Sequence, residues 1–89
     1  MSEKTSILII DDHPLFREGL KSIIAGDRNF TVEGEAGDSR NGFAMAKKIK
    51  PDVALVDISL PDESGMQLTR RIREALPDTR VMIISMHSK

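Results

Sequence analysis

Short uninterrupted apolar runs alternate along this chain with longer stretches in which apolar positions recur every three or four residues. Ile7-Leu8-Ile9-Ile10 is brief, β-branched and continuous, as expected of a central strand covered on both faces. Pro14 then suits a first helical turn, and Phe16, Leu20, Ile23 and Ile24 form a helical stripe that Gly26 stops. Phe30, Val32, Gly34 and Ala36 alternate with polar residues, which predicts a half-exposed edge strand over Thr31 to Ala36. Ser39 is placed to cap a second helix, whose Phe43, Ala46 and Ile49 share one face ahead of Pro51. A third strand is expected at Val53 to Val56, followed by a loop from Ile58 to Ser64 punctuated by Pro61. Leu68, Ile72 and Leu76 then mark a third helix that ends before Pro77-Asp78, and Val81 to Ile84 reads as a fourth strand. The order βαβαβαβ predicts an α/β fold with a parallel sheet, right-handed crossovers and helices on both faces.

Composition narrows the picture. With 89 residues the chain makes one small domain, which buries only about 65% of its unfolded surface. It has no cysteine, which excludes disulfides, thiolate metal sites and a cysteine nucleophile, and suits a cytoplasmic setting. Neither a signal peptide nor a membrane span is expected from its start or its apolar runs. A formal charge of -1 gives no reason to expect direct nucleic-acid or membrane binding. Arg70, Arg71 and Arg73 read as a solvated helix face.

The reactive groups fall at strand ends. Asp11 and Asp12 follow the first strand, Asp57 the third and Ser85 the fourth. Any one of these aspartates alone would read as a helix cap or turn residue. Three carboxylates at neighbouring strand ends would share the crevice where open α/β sheets bind ligands, and their mutual repulsion calls for a hard cation. Mg²⁺ fits best, because it keeps several waters and shares its shell with phosphate. A carboxylate beside it can attack phosphorus to give an aspartyl phosphate, and a hydroxyl such as that of Ser85 could bond a transferred oxygen. His13 and His87 lack the spacing of a helical metal pair and read as ordinary loop residues.

The segments ILIIDDHPLFREGL, DVALVDISLPDESG and RVMIIS together resemble the receiver domains of two-component response regulators. DDHPLFREGL, with VEGEA after it, is most similar to the LuxR/NarL-like subfamily, whose receiver precedes a helix-turn-helix DNA-binding domain. The resemblance implies a flavodoxin-like (CheY-like) doubly wound sheet in which Asp57 is the phosphoacceptor, loaded by a sensor histidine kinase. It implies direct Mg²⁺ ligation by Asp12, Asp57 and the Ser59 carbonyl, with Asp11 acting through water. Ser85 resembles the switch hydroxyl; Ser59, Met86 and His87 match positions that tune phosphate lifetime and access. Pro61 and Gly65 match the loop that shapes the site and starts the third helix. The implied protein is a signalling domain and not an enzyme. A phosphohydrolase with an aspartyl intermediate would need an Asp-x-Asp motif, and Asp57-Ile58-Ser59 lacks the second Asp.

The chain departs from that pattern at its end. Receiver domains carry a fifth strand with a conserved Lys and a fifth helix, and Lys89 comes too soon after Ser85 to match. Residues 1–89 are therefore expected to form a receiver truncated after the fourth strand, without the fifth strand and helix and without a DNA-binding domain. By the resemblance, phosphoryl transfer should be impaired. The uncovered fourth strand is expected to pair with another copy, giving a homodimer or larger assembly. The alternative is a phosphorylation-incompetent fold that serves as a dimerisation or interaction module.

Overall fold

The computed structural model describes residues 4–85; Met86 and His87 lie outside them. The chain forms β1 (Thr5–Ile10), α1 (Pro14–Ala25), β2 (Phe30–Ala36), α2 (Ser39–Ile49), β3 (Val53–Asp57), α3 (Gly65–Ala75) and β4 (Arg80–Ile84). All strand pairs are parallel and the sheet order is β2-β1-β3-β4. Every expected element is present, each within a few residues of its expected bounds. β3 runs one residue further than the expected Val53 to Val56, with Asp57 as its last residue.

The order explains where the helices go. The chain steps from β1 to β2 in one direction, then returns across β1 to β3 and continues to β4. Right-handed crossovers therefore put α1 on one face and α2 and α3 on the other. The larger apolar core lies on the second face, where Leu8, Ile10, Ala54 and Val56 meet Ala46 of α2 and Leu68 and Ile72 of α3. Gly42 lets α2 approach closely, since a Cβ there would come within 2.8 Å of the Ile10 side chain. Ile7 and Ile9 alternate to the opposite face and are buried.

The cover on that opposite face is thinner. α1 has no buried residue: Phe16, Leu20 and Ile24 are half-buried, whereas Ile23 is 74% exposed. The expected stripe is thus corrected to positions 16, 20 and 24: Ile23 lies only about 20° around the helix from Phe16, so its exposure comes from how little of α1 the sheet covers and not from its helical phase. β4 is an edge strand, with Met82 57% and Ile83 37% exposed. Among the described residues no helix is long and apolar enough to cross a membrane.

A second correction concerns α2. Its N-cap is Asp38, whose side chain accepts from the Asn41 amide at 2.7 Å, so Ser39 is the first helical residue and not the cap. Asp is as good a cap as Ser, and its position one residue earlier leaves the Ser39 hydroxyl free for another partner.

Candidate functional site

The reversal of strand order at β1 opens a crevice between the C-terminal ends of β1 and β3. Ile10 pairs in register with Val56, so the residues that follow, Asp11 and Asp57, come side by side. The Asp11 amide still donates to the Ala36 carbonyl at 2.9 Å, which extends the β1–β2 ladder by one residue and fixes the direction of its side chain. Both carboxylates are buried, Asp11 completely and Asp57 to within 2%, whereas Asp12 is exposed.

Burial leaves these two groups unequally served. Asp57 Oδ1 accepts the Ser59 amide at 3.1 Å, and Asp11 Oδ1 accepts the His13 amide at 2.7 Å. Asp11 Oδ2 and Asp57 Oδ2 are buried with no hydrogen-bond partner among the described residues. Two orphaned carboxylate oxygens in one buried crevice are costly unless a cation joins them. Asp11, Asp12, His13 and Asp57 each offer one ligand atom, and these four atoms all lie within 4.8 Å of one another.

His13 is the residue that sequence reasoning missed. It stands at the N-cap of α1 but makes no side-chain cap bond. Its ring turns back, bringing Nδ1 to 2.7 Å from Asp11 Oδ1, 3.2 Å from Asp12 Oδ1 and 3.5 Å from Asp57 Oδ2. The bond to Asp11 raises the imidazole pKa above its ordinary value, and the charges of Asp11, Asp12 and Asp57 add to this against partial desolvation. The signal in the sequence was its place, directly after the acidic pair and before the Pro14 that starts the helix.

Two polar networks hold the rim. From α1, the Arg17 guanidinium donates to the Asp11 carbonyl, while its Nε donates to Glu35 at 3.0 Å. Lys21 reaches Glu35 at 2.7 Å, and these two cations hold the Glu35 carboxyl below its ordinary pKa, Lys21 contributing most. On the other side, Asp62 accepts the Ser39 amide at 2.9 Å and the Arg40 amide at 3.2 Å, which lowers its pKa. Glu63 accepts the Ser39 hydroxyl at 2.6 Å and Arg71 Nη2 at 2.8 Å, and Arg71 is the larger cause of its lowered pKa. Arg71 also lies over the Phe43 ring, 4.5 Å from its centroid. The reading of Arg71 as merely solvated is thereby corrected: it ties α3 to the loop and to α2.

The remaining expected site residues sit nearby with different standing. Ser59 is exposed and touches Asp57 through its amide. Ser85 follows Ile84, the register partner of Asp57, and is exposed at that strand end. Gly65 packs where a Cβ would collide with the Asp57 carbonyl and come within 2.7 Å of Ile58 Cα, so only glycine fits at the start of α3.

Comparison with known proteins agrees with this geometry. Residues 7–89 match the family described as the response regulator receiver domain. The chain is 42% identical over 84 residues to the transcriptional regulatory protein DegU of Brevibacillus brevis, covering 94% of this chain and 36% of that one. It is 35% identical over 83 residues to the nitrate/nitrite response regulator protein NarL of Escherichia coli (strain K12), covering 93% of this chain and 38% of the relative. It therefore spans well under half the length of these relatives. Among solved structures, the signal receiver domain of a NarL from Mycobacterium tuberculosis superposes with a TM-score of 0.90 at 38% identity, covering 98% of this chain and 70% of that one. A LuxR-family two-component response regulator from Aurantimonas sp. SI85-9A1 gives a TM-score of 0.89 at 31% identity, covering 97% of this chain and 61% of the other.

Proposed function

The chain belongs to the response regulator receiver domain family, and on that premise we propose that Asp57 is its phosphoacceptor, served by a divalent cation held between Asp11, Asp12 and Asp57. The observation that carries the reading is the pair of buried, unpartnered oxygens, Asp11 Oδ2 and Asp57 Oδ2, in one crevice at the β1/β3 switch point. Mg²⁺ fits this all-oxygen donor set, with the Ser59 carbonyl as a further ligand. When bound, it supplies neutralising charge to the transferred phosphoryl oxygens.

The chain's own residues do the rest. A carboxylate oxygen of Asp57 attacks the phosphorus; its new P–O bond replaces the P–N bond of a sensor kinase phosphohistidine, and the released imidazole keeps its electron pair and takes a proton. The Ser59 amide, 3.1 Å from Asp57 Oδ1, holds the nucleophile in position. Gly65, packed on the Asp57 backbone, leaves the loop no room to shift. Ser85, the residue after Asp57's register partner Ile84, is the switch hydroxyl that bonds the new phosphoryl group. In a full-length regulator this event controls a DNA-binding output domain, and the cytoplasm is where the kinase delivers the phosphoryl group.

Intact-mass analysis after incubation with Mg²⁺ and acetyl phosphate tests the reading. One added phosphoryl group, absent in Asp57→Asn, is expected; addition that persists in Asp57→Asn overturns it.

A second reading concerns assembly. Met82 and Ile83 expose apolar surface on a strand that, among the described residues, stands at the edge of the sheet. The exposed apolar edge of β4 pairs with a second copy of the chain. Sedimentation velocity at rising concentration should show a dimer that Met82→Lys dissociates, and a monomer throughout overturns this reading.

A further inference from the structure

The imidazole of His13 lies among the acidic groups in the position of a ligand. We propose that His13 Nδ1 is a fourth metal donor, which lets this pocket bind borderline first-row cations of the Zn²⁺ and Co²⁺ class in addition to Mg²⁺. The inference rests on the reading of Asp11, Asp12 and Asp57 as a cation site and adds a nitrogen ligand to it.

Three observations support it. First, the donors are gathered closely enough for one ion: Nδ1 is 3.2 and 3.5 Å from an oxygen of Asp12 and Asp57, and its 2.7 Å contact with Asp11 Oδ1 is the hydrogen bond that a metal would replace. Donors bonded to one tetrahedral Zn²⁺ lie about 3.3 Å apart, from bond lengths of about 2.0 Å. Second, Asp11 and Asp57 are buried and each keeps an oxygen, Oδ2, with no hydrogen-bond partner among the described residues, which leaves them acceptor capacity for a cation. Third, the ring is held for the task. The His13 amide is fixed on Asp11 Oδ1 at 2.7 Å, so the residue stays beside the carboxylates when the ring exchanges its bond to Asp11 for a bond to metal. The side chain is 47% exposed, which lets Nε2 carry the ring proton and face water while the Nδ1 lone pair binds.

Nitrogen discriminates between metals. Imidazole suits Zn²⁺, Co²⁺ and Ni²⁺, whereas Mg²⁺ takes oxygen and retains water. His13 thus strengthens the first class selectively.

Isothermal titration of the full 89-residue chain with CoCl₂ and with MgCl₂, for wild type, His13→Gln, His13→Ala and Asp57→Asn, tests the proposal. Both His13 variants should lose about tenfold or more in Co²⁺ affinity, as loss of a metal-site residue does, and less than about twofold in Mg²⁺ affinity. The visible Co²⁺ absorption should weaken in both variants and be retained in His87→Ala. Equal Co²⁺ affinity in wild type and the His13 variants overturns the proposal while leaving the acidic site intact. Failure of wild type to bind either ion, or binding unchanged in Asp57→Asn, overturns both readings.

Discussion

Asp62 accepts the backbone N–H of Ser39 at 2.9 Å and so caps α2 from a loop 23 residues away in sequence. The loop that follows Asp57 is thereby latched to the opposite side of the crevice. Asp38 serves the Asn41 amide from within the helix entry, so two carboxylates share the work of satisfying one helix N-terminus. Asp62→Ala should lower the urea midpoint of the fold, because it removes the acceptor of the Ser39 and Arg40 amides. Urea unfolding measures this, and an unchanged midpoint would show that the latch contributes nothing.

Crowding of carboxylates in the crevice predicts a linked effect of metal. Mg²⁺ should raise unfolding free energy by about 2.7 kcal/mol at a hundred times its Kd. In chelator, Asp57→Asn should be more stable than wild type, because one buried like charge is gone. The variant should also lose most of the Mg²⁺ response. Thermal or urea unfolding in EDTA and in MgCl₂ gives both comparisons.

Gly65 offers a steric test. Its missing Cβ is replaced in space by the Asp57 carbonyl and Ile58 Cα, both backbone, which cannot rotate aside. Gly65→Ala should cost about 2–3 kcal/mol and slow phosphorylation of Asp57 at saturating acetyl phosphate. Wild-type stability in the variant would mean that the loop can give way.

Acid should weaken the rim. Glu35 and Glu63 have folded pKa values below the ordinary 4.5, and Asp62 lies below 3.8. A carboxyl depressed on folding stabilises the folded state above its unfolded pKa, and that contribution is lost as pH falls through the folded value. Stability should therefore decline once pH drops below the range of these ordinary values. Urea midpoints at about pH 6 and about pH 3.5 should differ less for Glu35→Gln than for wild type, since one such group is removed.

Local pattern determined the elements of this protein. Strand and helix depend on the period of apolar residues, and Ile7–Ile10, Val53–Val56 and the 68/72/76 stripe carry that period in neighbouring positions. That Asp11, Asp12 and Asp57 come together was legible for the same reason, because residues at or directly after the C-terminal ends of neighbouring strands emerge at one edge of the sheet. Tertiary structure alone decided the rest. Ring direction at His13, the grip of Arg17 on the Asp11 carbonyl, the Asp62–Ser39 latch and the seat of Arg71 on Phe43 join residues from different elements. Such contacts depend on distances across the fold that no local period encodes, and so does the exposure of Ile23, which follows from how lightly α1 rests on the sheet.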